Sequence, residues 1–153
     1  MKTEPGVFSF DDLVKAPQKT TFWEGVRNYQ ARNLMRDEMK MGDESFIYHS
    51  GIDEPEIAGI AVISKTATPD DAAFNSKSKY FDSEAKKKGT NPWVGVTITA
   101  TQKFSSPITR TQLKETPSLK NIMVLKKGAR LSVQPITNEE AAILKKLQKL
   151  FSV

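Results

Sequence analysis

The run Trp23-Glu24-Gly25-Val26-Arg27-Asn28-Tyr29-Gln30-Ala31-Arg32-Asn33 crowds aromatic, guanidinium and amide groups onto the first turns of a helix. Counted with a period of 3.6, Ala31, Leu34 and Met35 form an apolar stripe, and stepping back three or four places from Ala31 lands on Arg27 and Asn28. The spacing predicts a helix over 26–39 whose buried face runs on into those two polar side chains. Gly25 lets the chain turn sharply or another group approach closely, and the first N–H groups of a helix have no partner inside it. Free donors, a cation and an amide beside Trp23 are the parts of a small pocket for a planar, hydrogen-bonding ligand. A second reading stands beside it, in which Arg27 and Asn28 cap the helix and tie down a neighbouring loop.

On the N-terminal side of this run, Asp11-Asp12-Leu13-Val14 reads as a short helix capped by Ser9. On the C-terminal side, Glu44 to Ser50 and Ile57 to Ser64 read as strands around a loop at 51–55. In the second strand Ile57, Gly59 and Ala61 alternate with Ala58, Ile60 and Val62, so both faces are expected to be covered. The polar stretch 66–91 holds a turn at Pro69-Asp70-Asp71 and two lysine-rich loops, Ser76–Lys79 and Lys86–Gly89, and is the segment where a functional excursion is expected. Trp93–Thr101 is a strand with Val94, Val96, Ile98 and Ala100 on one face. Short helical pieces at 110–113 and 122–125, a strand-like 130–135, and a helix from Asn138 to about Leu150 complete the chain. Asn138 is the expected cap of that last helix, with Ile143, Leu147 and Leu150 facing the core and Lys145, Lys146 and Lys149 outward.

The 153 residues suit a single domain, and 38% hydrophobic and 27% charged residues are ordinary globular values. No apolar run is long enough to span a bilayer and the first residues have no signal-peptide core, so a soluble, cytoplasmic protein is expected, nuclear if the source is a eukaryote. There is no cysteine and one histidine, which excludes disulfides, thiolate metal sites and histidine clusters; neither metal nor cofactor is expected. The formal charge of +5 and pI near 9.4 favour a polyanionic partner.

KTEP at 2–5, WEGVRNYQARN at 23–33, YHS at 48–50 and RLSVQP at 130–135, in this order across the chain, resemble the EVE domain family. The resemblance implies one EVE domain over 1–153: an α+β, PUA-like fold, a curved mixed or antiparallel β-barrel with surrounding helices. It also implies a non-catalytic, monomeric module reading a modified base in DNA or RNA, as the similar YTH and SRA domains do.

The pocket carried over by motif position comprises Lys2, Thr3, Trp23, Val26, Arg27, Asn28, Tyr48, His49, Ser50, Ser132, Gln134 and Pro135, with Trp93 at a looser aromatic position. Thr3 stands where the family usually has Ser. The family also has apolar residues before the first motif, where only Met1 precedes Lys2, so the expectation is a native start upstream or a frayed first strand.

The residue chemistry agrees: an extruded base needs a stacking surface, edge donors and acceptors, and an apolar spot for its methyl group. Phosphate contacts are expected from Arg32, Arg36, Lys86, Lys87, Lys88 and Arg130. Two other readings stand beside it: a ribonuclease-like enzyme, which related PUA-like folds suggest, using His49 with Tyr48, Arg27 and Lys2, and a module for a peptide or small molecule. Trp93 could also be a core aromatic, and His49 a hydrogen-bonded structural residue.

Overall fold

A computed structural model describes residues 1–152. It is built on a five-stranded mixed sheet in the order β1-β3-β4-β5-β2. The elements run β1 (Lys2–Thr3), α1 (Phe10–Lys15), β2 (Thr20–Trp23), α2 (Tyr29–Asn33), β3 (Glu44–His49), β4 (Glu56–Pro69), α3 (Ser83–Lys88), β5 (Val94–Thr109), α4 (Arg110–Glu115) and α5 (Asn138–Phe151). The sheet is open and bent like a barrel wall. Only β1 and β3 run parallel; the other neighbours are antiparallel.

The bending has a local cause. The β4–β5 register slips at four places, and each bulge kinks the strand and turns over the faces of the residues that follow it. Strict alternation in β4 therefore fails. Ile57 and Ile60 lie in one core, while Ala58, Ala61 and Ile63 lie in the other. In β5 the predicted face holds as far as Ala100, with Val96 and Ile98 in the first core. The strand then continues and delivers Phe104 and Ile108 to the second. One core lies beneath α1 and α2; the other packs against α4 and α5.

Several elements differ from the sequence reading. α2 begins at Tyr29 rather than 26, because Asn28 stays extended and its Oδ1 accepts the Ala31 N–H at 3.0 Å as the cap; the helix then widens into a π turn at Leu34–Glu38. Thr20–Trp23 is a strand with no forecast, so Trp23 ends β2. Lys86, Lys87 and Lys88 form the last turn of α3, a basic end that complements the helix dipole, rather than a loop. Residues 130–135 form no strand; instead the Lys2 N–H donates to the Ser132 carbonyl at 2.7 Å. α5 is capped by Thr137 in a capping box with Glu140. Its buried side chains are Leu144 and Gln148, while Leu150 is exposed.

The short β1 is paired on both sides. Its outer edge meets Ser132, and along its inner edge the Tyr48 and Ser50 N–H groups donate to the Met1 and Thr3 carbonyls at 2.9 Å.

Candidate functional site

Between β1 and the end of β2 lies a cavity of about 470 Å³, within the ~300–1,000 Å³ typical of small-ligand sites. Lys2, Thr3 and Ser132 line one side, Phe22, Trp23 and Val26 the other, and Phe8, Lys79 and Tyr80 the rest of the wall. Trp23 meets Phe8 edge to face, with ring centroids 6.3 Å apart. It is 8% exposed and belongs to the first core, so a single side chain both packs the sheet and walls the cavity. Its indole N–H has no hydrogen-bond acceptor among the described residues, yet it is not sealed off from solvent. A donor left open in this way is available to a ligand. The Thr3 hydroxyl is used by the protein, donating to the Phe8 carbonyl at 2.8 Å. Burial lowers the pKa of Lys2 below its ordinary value, and a bound anion would restore it.

The wall containing Tyr80 is fixed by a buried carboxylate. Asp70 is fully buried; its Oδ2 accepts the Gly25 N–H and Arg27 Nη1, both at 2.8 Å, and its Oδ1 accepts the Ala72 N–H. Arg27 in turn donates Nε and Nη2 to the Tyr80 carbonyl at 2.9 and 2.8 Å. Gly25 has φ +85°, and a Cβ there would lie 2.5 Å from the Tyr80 ring. Only glycine lets that ring close against the chain.

Of the thirteen residues expected in the pocket, the cavity brings together Lys2, Thr3, Trp23, Val26 and Ser132. Arg27 stands behind the wall, all three of its nitrogens occupied by Asp70, Val26 and Tyr80. Asn28 is exposed and serves as the α2 cap. Trp93 is buried, with Nε1 donating to Asp82 at 2.7 Å; hydrogen bonds from the Ala85 N–H and from Trp93 lower the Asp82 pKa. Tyr48 points into the second core. His49 accepts the Phe10 N–H on Nε2 at 3.0 Å and sets Nδ1 3.4 Å from Glu56, so the ring ties β3 to α1. Ser50 lies against the Thr3 carbonyl at 3.5 Å. Gln134 and Pro135 line a second cavity of about 410 Å³.

The expected phosphate contacts are scattered. Arg36 is paired with Asp37, and Lys87 with Glu84. Lys86 lies over the Phe74 ring, Lys88 and Arg130 are exposed, and Arg32 donates Nη1 to the Pro92 carbonyl.

Phe8, Phe22, Tyr80 and Asp70 are absent from the sequence forecast, whereas Lys79 lies in the lysine-rich stretch 77–88 expected to meet phosphates. A signal existed for Phe22, the neighbour of Trp23 in a β-rich run, and for Tyr80, inside the predicted functional excursion. Asp70 read only as a turn residue.

The EVE domain family matches residues 1–147. The chain belongs to that family. Thymocyte nuclear protein 1 of Gallus gallus is 42% identical over 151 residues, covering 91% of this chain and 61% of its own length, so the chain spans about three fifths of that relative. A Pseudomonas putida protein has a TM-score of 0.90 at 40% identity, with 97% of each chain covered. Human THYN1 protein, solved in complex with 5-methylcytosine containing DNA, has a TM-score of 0.89 at 37% identity, covering 97% of this chain and 95% of that one. An open mixed sheet with flanking helices is therefore the EVE domain architecture here too. Among the described residues no helix is long and apolar enough to cross a membrane.

Proposed function

We propose that this chain is a non-catalytic reader of a modified base in nucleic acid, DNA carrying 5-methylcytosine first, and that the base enters the cavity beside Trp23. The observation that carries this reading is the likeness, over nearly the full length of both chains, to a human protein solved with 5-methylcytosine DNA. The cavity supports it chemically. Phe22, Trp23 and Tyr80 offer π surface, the open indole N–H and Ser132 offer polar groups for a base edge, and Val26 offers an apolar spot for a methyl group. Lys2 and Lys79 stand at the same cavity to meet a phosphate.

In this reading Arg27, Asn28 and Trp93 build the wall without touching the base, and His49 holds the fold together rather than moving a proton. The chain acts as a single EVE domain and as a monomer, in the nucleus of a eukaryotic source or the cytoplasm of a bacterial one. The test is an array of otherwise identical oligonucleotides, DNA and RNA, each carrying one modified cytosine or adenine. Tighter binding of 5-methylcytosine DNA than of its unmodified counterpart is expected. Equal binding to every member of the array would refute base reading.

A further inference from the structure

Beyond the cavity, the Tyr80 wall continues as an alternating row of rings and cations. Lys79 Nζ lies 5.0 Å from the Tyr80 ring centroid. Arg27 Cζ lies 5.9 Å from Tyr80 and 5.5 Å from Trp93. Trp93 then stacks on Tyr29, with centroids 4.7 Å apart and planes tilted by 32°, and Arg32 Cζ lies 4.9 Å from the Tyr29 ring. These steps carry the row from the cavity wall at Tyr80 out to Tyr29 at the surface, along a path that a single strand leaving the cavity can follow.

The inner members of the row are committed to the fold. Arg27 has spent its three nitrogens, and Trp93 is buried with its indole N–H on Asp82. The outer pair is not. Tyr29 is 58% exposed, more than any other large aromatic side chain left at the surface, and its hydroxyl has no partner among the described residues. Arg32 is held by Nη1 on Pro92 and Nε on Asn33, which fixes the guanidinium plane and leaves Nη2 without a partner among those residues. A rigid cation over an exposed ring is a platform on which an unpaired base can stack, since every base has a π face and both rings and guanidinium planes receive it. The free end of the fork can meet the adjoining phosphate.

We propose that Tyr29 and Arg32 form a second nucleotide subsite, which takes the base and phosphate of an unpaired nucleotide on the same strand as the one in the cavity. The proposal rests on the reading of the cavity as a base site. It extends that reading from one base to the strand around it.

The test compares two probes by calorimetric titration: 5-methyldeoxycytidine monophosphate, which fills the cavity alone, and a short single-stranded DNA with one central 5-methylcytosine. Tyr29→Ala should weaken the oligonucleotide by about 5- to 150-fold, the usual loss for one stacking ring, and leave the mononucleotide within about twofold. Arg32→Gln should weaken the oligonucleotide and make its salt slope shallower by about 1.

Tyr29→Leu guards against a folding artefact, because it keeps an apolar cover over Trp93 without a π face; it should behave like the alanine variant with an unchanged melting temperature. Oligonucleotide binding equal to the parent's in both Tyr29 variants overturns the subsite, as does an equal loss on both probes. If the parent shows no preference for methylated over plain oligonucleotides while both Tyr29 variants still bind them weakly, the cavity reading fails and the subsite stands.

Discussion

Two cavities differ little in size, about 470 and 410 Å³, but greatly in chemistry. The one at Trp23 has four aromatic side chains in its wall, two lysines balanced by two glutamates, and an indole donor left open. The one at Gln134 and Pro135 has one ring, Phe46, and three carboxylates, Glu38, Asp43 and Glu44, the last of them paired with Lys145. Carboxylates prevail in the second, while in the first lysines offset them. Volume alone would have ranked them as equals; the placement of rings and charges separates them.

The largest expected effect comes from the carboxylate behind the first cavity. Asp70→Ala strands the Arg27 guanidinium and the Gly25 N–H, and breaking a buried pair by removing one partner costs about 3–5 kcal/mol. Denaturant unfolding should show that loss, with binding lost alongside it.

Trp23→Ala comes next. The indole is both core and wall, so it should cost about 3–5 kcal/mol of stability as well as the ligand. Trp23→Phe separates the two roles: it keeps most of the packing, removes the open donor, and should weaken a modified oligonucleotide by about 0.5–1.5 kcal/mol in a titration.

Gly25→Ala forces a left-handed alanine, at about 1–2 kcal/mol, and pushes the Tyr80 ring outward. Thermal melting and binding should both fall.

Smaller again is the electrostatic contrast. If about four phosphates are contacted, log K falls with log salt with a slope of about −3 to −4. Neutralising Lys86, Lys87 and Lys88 together should weaken methylated and plain strands by similar factors. Glu38→Gln, at the second cavity, should leave the affinity of either strand within a few tenths of a kcal/mol. A strong response to Glu38→Gln would erase the distinction between the two cavities.

The smallest effect is a pH dependence. Because burial lowers the Lys2 pKa in the folded protein, its charged form is disfavoured there, and folding stability rises with pH between that lowered pKa and the ordinary 10.5. Anion binding at the cavity runs the opposite way and weakens as Lys2 loses its proton. Titrations of a nucleotide at increasing pH should show this fall beginning below the range of an exposed lysine.

Much of this was legible in the chain. Ser9 caps α1, β3 spans Glu44–His49, and the four motifs led to the EVE domain family and its curved mixed β-structure. The cavity was legible where neighbours in sequence are neighbours in space, as at Trp23 and Val26. It was not legible where the wall depends on contacts between distant residues. Nothing local to Asp70 reports that its carboxylate meets Gly25 and Arg27, and nothing in Gln134 reports that its side chain turns back to the Leu131 carbonyl and faces the other cavity. The bulges in β4 broke a pattern that assumes an unbroken period of two, and the π turn did the same for the helix after Asn33.

The bond from the Lys2 N–H to the Ser132 carbonyl also bears on how the protein is made. It joins residues far apart in the chain, and closing so long a loop carries an entropic cost that the intervening contacts offset. The cavity is bounded by both of these residues, so it takes shape late in folding. A polypeptide still emerging from the ribosome, before residue 132 is free, has both tryptophans but lacks the Ser132 side of the cavity.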